Sequence, residues 1–181
     1  MKPQRSLKAR ALQYLAQREQ SRHELRLKLL PHAQAEIAAA EAARHADAEA
    51  SDVVGASATE RVDAVLDWLV AHDYLSSERF VESRVHARAH RFGNLRIRQE
   101  LKQHAEVLPP GAAQALKDSE LERARAVRSR KFPEPPSSGA EMARQTRFLM
   151  GRGFSAEVIR RALRDAGAVA ADTHEPGPSF D

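Results

Sequence analysis

The residues that invite a chemical reading lie between Arg84 and Lys102, where six Arg and Lys side chains meet a single acid, Glu100. Arg84, Arg88 and Arg91 stand at i, i+4 and i+7, the spacing of one stripe along a helix. Arg98 and Lys102 repeat the i, i+4 interval further on, with Arg96 beside them. Guanidinium forks match the oxygens of phosphate and carboxylate. A stripe of them along a helix can follow a phosphate backbone. A merely solvated face would carry acids at i±4 to satisfy its cations, and here they are nearly missing. The stretch reads as a surface for a polyanion.

His86 and His90 also stand at i, i+4, the interval of two metal ligands on a helix. No Glu lies between them, no third ligand is evident, and the neighbouring arginines would repel a cation. They read as surface histidines in a basic patch, and no metal is expected. Trp68 and Tyr74 read as helix-spaced core anchors, not as platforms for stacked bases. The "GRGF" stretch at residues 151–154 has too few glycines for a phosphate loop and follows no strand. With no Ser/His/Asp constellation, no paired carboxylates in an apolar setting and no nucleotide motif, neither an enzyme nor a cofactor is expected.

The chain that must position these residues has 181 of them, enough for one compact domain or a few small stacked units. Much of its 42% hydrophobic content is Ala and only 5% is aromatic, a composition suited to narrow helix–helix interfaces. The mean hydropathy of −0.57 and 30% charged residues mark a soluble chain. No apolar run approaches the roughly 20 residues needed to span a bilayer. The charged N-terminus lacks a signal-peptide core, and Cys is absent. The expectation is a cytoplasmic protein. Its net charge of +4 is segregated. Residues 1–30 carry +6, residues 31–67 carry −6, residues 84–102 carry +5 and residues 121–164 carry +7. Basic blocks that recur between acidic spacers favour a polyanionic partner.

Helical periodicity dominates. Leu7, Ala11, Tyr14, Leu15 and Arg18 form one stripe. Ser21 and Glu24 have capping-box spacing for a second helix that carries Leu25 and Leu29 and is limited by Pro31. Residues 32–58, rich in Ala and acids, read as an exposed insertion with little to bury. Thr59 can cap a third helix carrying Val62, Val65, Leu66 and Leu69, which ends at His72-Asp73. Ser76 or Ser77 can cap a helix from Glu78 to about Phe92, with Gly93 as its stop. Leu95, Ile97 and Leu101 set the next helix, and Pro109-Pro110 opens a short one through Leu116. A basic helix follows at 118–131, a loop at 132–139, a helix over Glu141–Met150, and a last helix from Ala156 to about Ala166 capped by Ser155.

No run of alternating β-branched residues appears, so the fold class is all-α with no sheet. An internal echo supports a repeat. Leu101, Val107, Ala112 and Leu116 match Phe148, Phe154, Ile159 and Leu163, each pair 47 positions apart. Leu29, Val62 and Leu66 offer the same unit opened by the insertion. Three short helices bury their apolar faces by stacking on neighbours. The expected architecture is an elongated right-to-left stack of three degenerate three-helix repeats at 1–72, 73–117 and 118–167, followed by a flexible tail at 168–181.

Three stretches carry a family resemblance. "HDYLSSERFVESRVHARAHRFGNLRIRQELKQ" resembles the central motif of the RecX regulatory family, "QTRFLMGRGFSAEVIRRAL" its C-terminal motif, and "ALQYLAQREQSRHELRLKLL" its N-terminal repeat. The likeness covers about residues 7–30 and 59–167, in the family's order. It departs from the family at Ser76-Ser77, where acids are usual, and at the turns "RFGNL" and "HAEVLP". The resemblance implies a small helical modulator of the RecA recombinase, active in homologous recombination and DNA repair. Such a protein is expected to act as a monomer, without a membrane, binding the RecA–DNA filament, and single- and double-stranded DNA weakly. The expected contact set is Arg84, Arg88, Arg91, Arg96, Arg98 and Lys102. Arg22 and Arg26 from the first repeat and Arg147, Arg152 and Arg160 from the third complete it. Two other classes are open. A helix-turn-helix regulator would read bases through Arg96, Gln99 and Gln103, and a metal hydrolase would use His86 and His90.

Overall fold

A computed structural model describes residues 5–46 and 56–172. Among the described residues there are nine helices and no strand. They are α1 (Leu7–Gln17), α2 (Arg22–Ala46), α3 (Ala58–Ala71), α4 (Ser77–Ala89), α5 (Asn94–Gln103), α6 (Pro110–Asp118), α7 (Glu120–Lys131), α8 (Gly139–Gly151) and α9 (Ala156–Asp172). In chain order they make three groups of three, in keeping with the internal echo. The chain forms two compact units, residues 1–81 with 104–106 and residues 82–103 with 107–181.

The first unit is built on one four-residue rhythm. Leu25, Leu29 and Ala33 of α2 fall at i, i+4 and i+8 and are fully buried against Leu7 and Ala11 of α1 and Val62, Leu66 and Leu69 of α3. That stripe carries α2 through Pro31, the limit expected from the sequence. Proline removes one N–H bond and costs about 3 kcal/mol inside a helix. Here its ring is on the exposed side, and the helix is packed both before and after it. The expected insertion at 32–58 is therefore in part a structural element. Ala33 belongs to the core, Glu36 pairs with Arg61 at 2.9 Å, and the helix reaches Ala46. The segment 47–55 lies outside the described residues.

The caps differ as well. Ser57, not Thr59, caps α3, with both halves of the capping box formed by Glu60. At α2 only half a box exists. Ser21 Oγ accepts from Glu24 N at 3.0 Å, but the Glu24 carboxylate turns to Arg18 and Lys28. Burial raises the Glu24 pKa, and the contacts with Arg18 and Lys28 lower it by more. Ser76, Ser138 and Ser155 cap α4, α8 and α9. The helix α9 continues to Asp172, so residues 168–172 of the expected tail are helical; residues 173–181 lie outside the described residues.

In the second unit, Ala124 and Val127 of α7, Leu149 of α8, and Phe154, Ile159, Ala162 and Leu163 form a core. Ile97, Leu101 and Leu116 are buried as well. Val107, paired in the echo with buried Phe154, is instead 84% exposed. The repeat is degenerate at that position.

Candidate functional site

The basic stretch is held in place by a lock between two turns. Gly93 N donates to Arg152 O at 2.9 Å, and Leu95 N donates to Gly153 O at 3.1 Å. The backbones approach so closely that a Cβ on Gly93 would overlap the Gly153 carbonyl and Phe154 N. Gly153 has φ +81°, and a Cβ there would lie 2.6 Å from Arg96 Cβ. Gly93 does not have positive φ. It is required for close approach, not as the left-handed stop of α4, which ends earlier at Ala89.

A buried polar knot completes the support. Glu120 Oε1 accepts from Asn94 N at 3.0 Å and so serves the start of α5. The Arg123 guanidinium donates to Phe92 O at 2.7 Å, Asn94 Oδ1 at 2.6 Å and Leu116 O at 2.8 Å. Burial pushes the Arg123 pKa down, and the Glu120 charge partly restores it. Arg128, which is buried, donates to Gln145 Oε1 at 3.0 Å and Glu134 O at 2.6 Å, and burial lowers its pKa as well. These two arginines of α7 are scaffold. A third, Arg125, is paired with Glu122 and Asp165.

Around this scaffold the predicted residues divide. Arg88 and Arg96 share Glu100, at 2.9 and 3.8 Å. Arg91 lies past the end of α4, in the turn, so the three-residue stripe with Arg84 and Arg88 is not carried by one helix. Its guanidinium instead joins those of Arg88, Arg96 and Arg152 around the Phe92 ring, at 4.7 to 5.9 Å from the centroid. That cluster unites positions about sixty residues apart in the chain. Arg98 and Lys102 are exposed on α5, Arg147 on α8 and Arg160 on α9, none with a carboxylate partner among the described residues. Arg22 and Arg26 are placed differently. Arg22 pairs with Asp67 at 2.7 Å and Arg26 with Asp63 at 2.6 Å, within the first unit.

Trp68 packs on the core of the first unit with Lys8 over its ring at 3.0 Å. Tyr74, expected in the core, is half exposed and stacks on Trp68 at 5.6 Å. Among the described residues no three His, Cys, Asp or Glu side chains are grouped to hold a metal ion. Likewise no described helix is long and apolar enough to cross a membrane. Sequence reasoning missed Arg130 and Lys131, which line a cleft with Arg91 and Arg152. A signal existed: Arg130 follows Arg123 by seven residues, and both reach carbonyls at the end of α4.

Nine helices in groups of three, with exposed cations that have no carboxylate partner among the described residues, define an all-helical repeat protein. Known proteins share this build and much of its sequence. The family model for RecX, third three-helix domain, matches residues 118–163. The regulatory protein RecX of Ralstonia nicotianae is 44% identical over 94% of both chains, and that of Leptothrix cholodnii 47% over 90% of both. The crystal structure of RecX from Lactobacillus salivarius shares the fold at a TM-score of 0.60 and 15% identity, over 90% of this chain and 95% of that one. The chain belongs to the RecX regulatory family.

Proposed function

We propose that this protein is a negative modulator of the RecA recombinase, binding the RecA–DNA filament and inhibiting its extension, ATP hydrolysis and strand exchange. It works as a non-enzymatic monomer of three repeats, at 1–72, 73–117 and 118–167. The observation that carries the reading is the surplus of unpartnered cations on the second unit of a RecX family member. Arg91, Arg98, Lys102, Arg147, Arg152 and Arg160 have no carboxylate partner among the described residues. Such charges suit DNA phosphates and filament carboxylates alike.

The test is the DNA-dependent ATPase of the cognate RecA, titrated with this protein. Inhibition near stoichiometric ratios is expected, because a bound modulator blocks filament growth. Unchanged ATPase and strand exchange at excess protein would reject the reading. Equal affinity for bare duplex and for filament would favour the helix-turn-helix regulator instead.

A further inference from the structure

We propose that the cleft lined by His90, Arg91, Arg130, Lys131 and Arg152, floored by Val127 and Phe148, is a binding site for a phosphate group. The cleft measures about 180 Å3, several times the roughly 30 Å3 of one liquid water. Four of its side chains are cations, and no carboxylate lines it. A larger cleft of the same unit, about 730 Å3, instead includes Glu122, Glu134 and Asp165.

Arg130 and Arg152 are held in place by groups that do not neutralise them. Arg130 donates through Nε to Ala126 O at 3.1 Å and through Nη2 to His90 O at 2.7 Å. Arg152 rests over the rings of Phe148 and Phe92, at 5.1 and 5.6 Å. Holding a guanidinium still with carbonyls and aromatic faces leaves its charge for a ligand. The competing explanation is helix capping, since α4, α7 and α8 all end here. Three helix C-termini together amount to roughly one and a half negative charges. They fall well short of four cations. A single carboxylate would fall short as well, whereas a phosphate group brings several oxygens and fits guanidinium forks.

The phosphate belongs to a nucleic-acid backbone or to a free nucleotide, and the site does not depend on the recombinase reading. The probe is inorganic pyrophosphate, titrated into the full chain at constant ionic strength while the arginine Nε–H resonances are followed by NMR. Saturable shifts at Arg91, Arg130 and Arg152 are expected. The double variant Arg91→Gln/Lys131→Gln removes two cations whose side chains make no hydrogen bond and leaves Arg130 and Arg152 in place, so it keeps the scaffold. It should bind pyrophosphate about tenfold more weakly or worse.

Non-saturating shifts spread equally over exposed arginines such as Arg160 and Arg161 would overturn the site. So would wild-type affinity in the double variant. A second arm uses ATP and an oligodeoxythymidylate. Variant-sensitive binding of the oligonucleotide assigns the backbone, and of ATP alone the nucleotide; insensitivity of both overturns the proposal. Pyrophosphate bound in the cleft, with RecA ATPase still unaffected by the protein, would keep this site and remove the function proposed above.

Discussion

The two units divide their cations differently. In the first, Arg18, Arg22, Arg26, Lys28, Arg61 and Arg79 reach a carboxylate, on Glu24, Asp63, Asp67, Glu36 or Glu19, while Arg5, Lys8, Arg10 and Arg44 have none among the described residues. In the second, acids hold only some cations. Others are buried as scaffold, and a remainder faces outward unpaired. The exposed pairs of the first unit are worth about 0–1 kcal/mol each, so their main effect is to cancel the local field. The lesson is that a basic block in the sequence does not predict a basic surface. The folded position of the nearest acids decides it.

The largest effect expected on the second unit comes from its turn lock. Gly93→Ala should destabilise the protein by about 3 kcal/mol or more, because backbone on the facing turn must move. Gly111→Ala, with open space around it, should stay within about 1 kcal/mol. Urea unfolding of the pair measures this contrast, and equal stabilities would dissolve the lock.

Next in size is the contrast between a scaffold arginine and a paired one. Arg123→Met strips the Phe92 and Leu116 carbonyls of a donor and should cost about 2–4 kcal/mol. Arg22→Met in the first unit should cost no more than about 1 kcal/mol. A cost for Arg22→Met equal to that of Arg123→Met would show the first network to be structural.

Binding sharpens the comparison further. Arg98→Ala/Lys102→Ala should reduce the log–log salt slope on single-stranded DNA by roughly 0.7 for each phosphate the variant no longer neutralises. Arg22→Ala/Arg26→Ala should leave that slope as it is. Conversely, Asp63→Asn/Asp67→Asn frees two arginines and should steepen it. A slope unmoved by all three variants would remove the DNA role from both units.

The smallest effect is a dependence on pH that the units share. Glu60 accepts from the Ser57 backbone and hydroxyl, and Glu141 from those of Ser137, and both carboxyls are held below their usual 4.5. A carboxyl depressed on folding adds stability above its unfolded value, and that stability is lost as pH falls through the folded one. The deficit of Glu60→Ala against wild type should therefore be present in melting curves at pH 7 and shrink below about pH 4.5. A deficit that persists at pH 2 would mean that the cap acts through something other than charge.

Much of this is legible in the chain. The 3.6-residue spacing of Leu25 and Leu29, or of Val62, Leu66 and Leu69, fixes helices and their buried faces, because a helical face repeats locally. Serine caps and the Pro110 start of α6 are equally local, and so readable to within a residue or two. The density of arginine between Arg84 and Lys102 marks the region proposed to meet an anion.

What could not be read depends on partners distant in sequence. Pro31 reads as a stop because the packing on either side of it, against α3, is not a local property. Gly93 reads as a helix terminator because its close neighbour, Gly153, is sixty residues away. Arg123 and Arg98 are the same residue in the sequence, but one is partly buried and bonded to carbonyls and the other faces solvent. The sequence by itself determined helix positions, capping and where positive charge accumulates, all set by contacts within a few residues. Only the tertiary structure decided which charges are cancelled, buried or left free, since a Coulomb partner is chosen by distance in space and not along the chain.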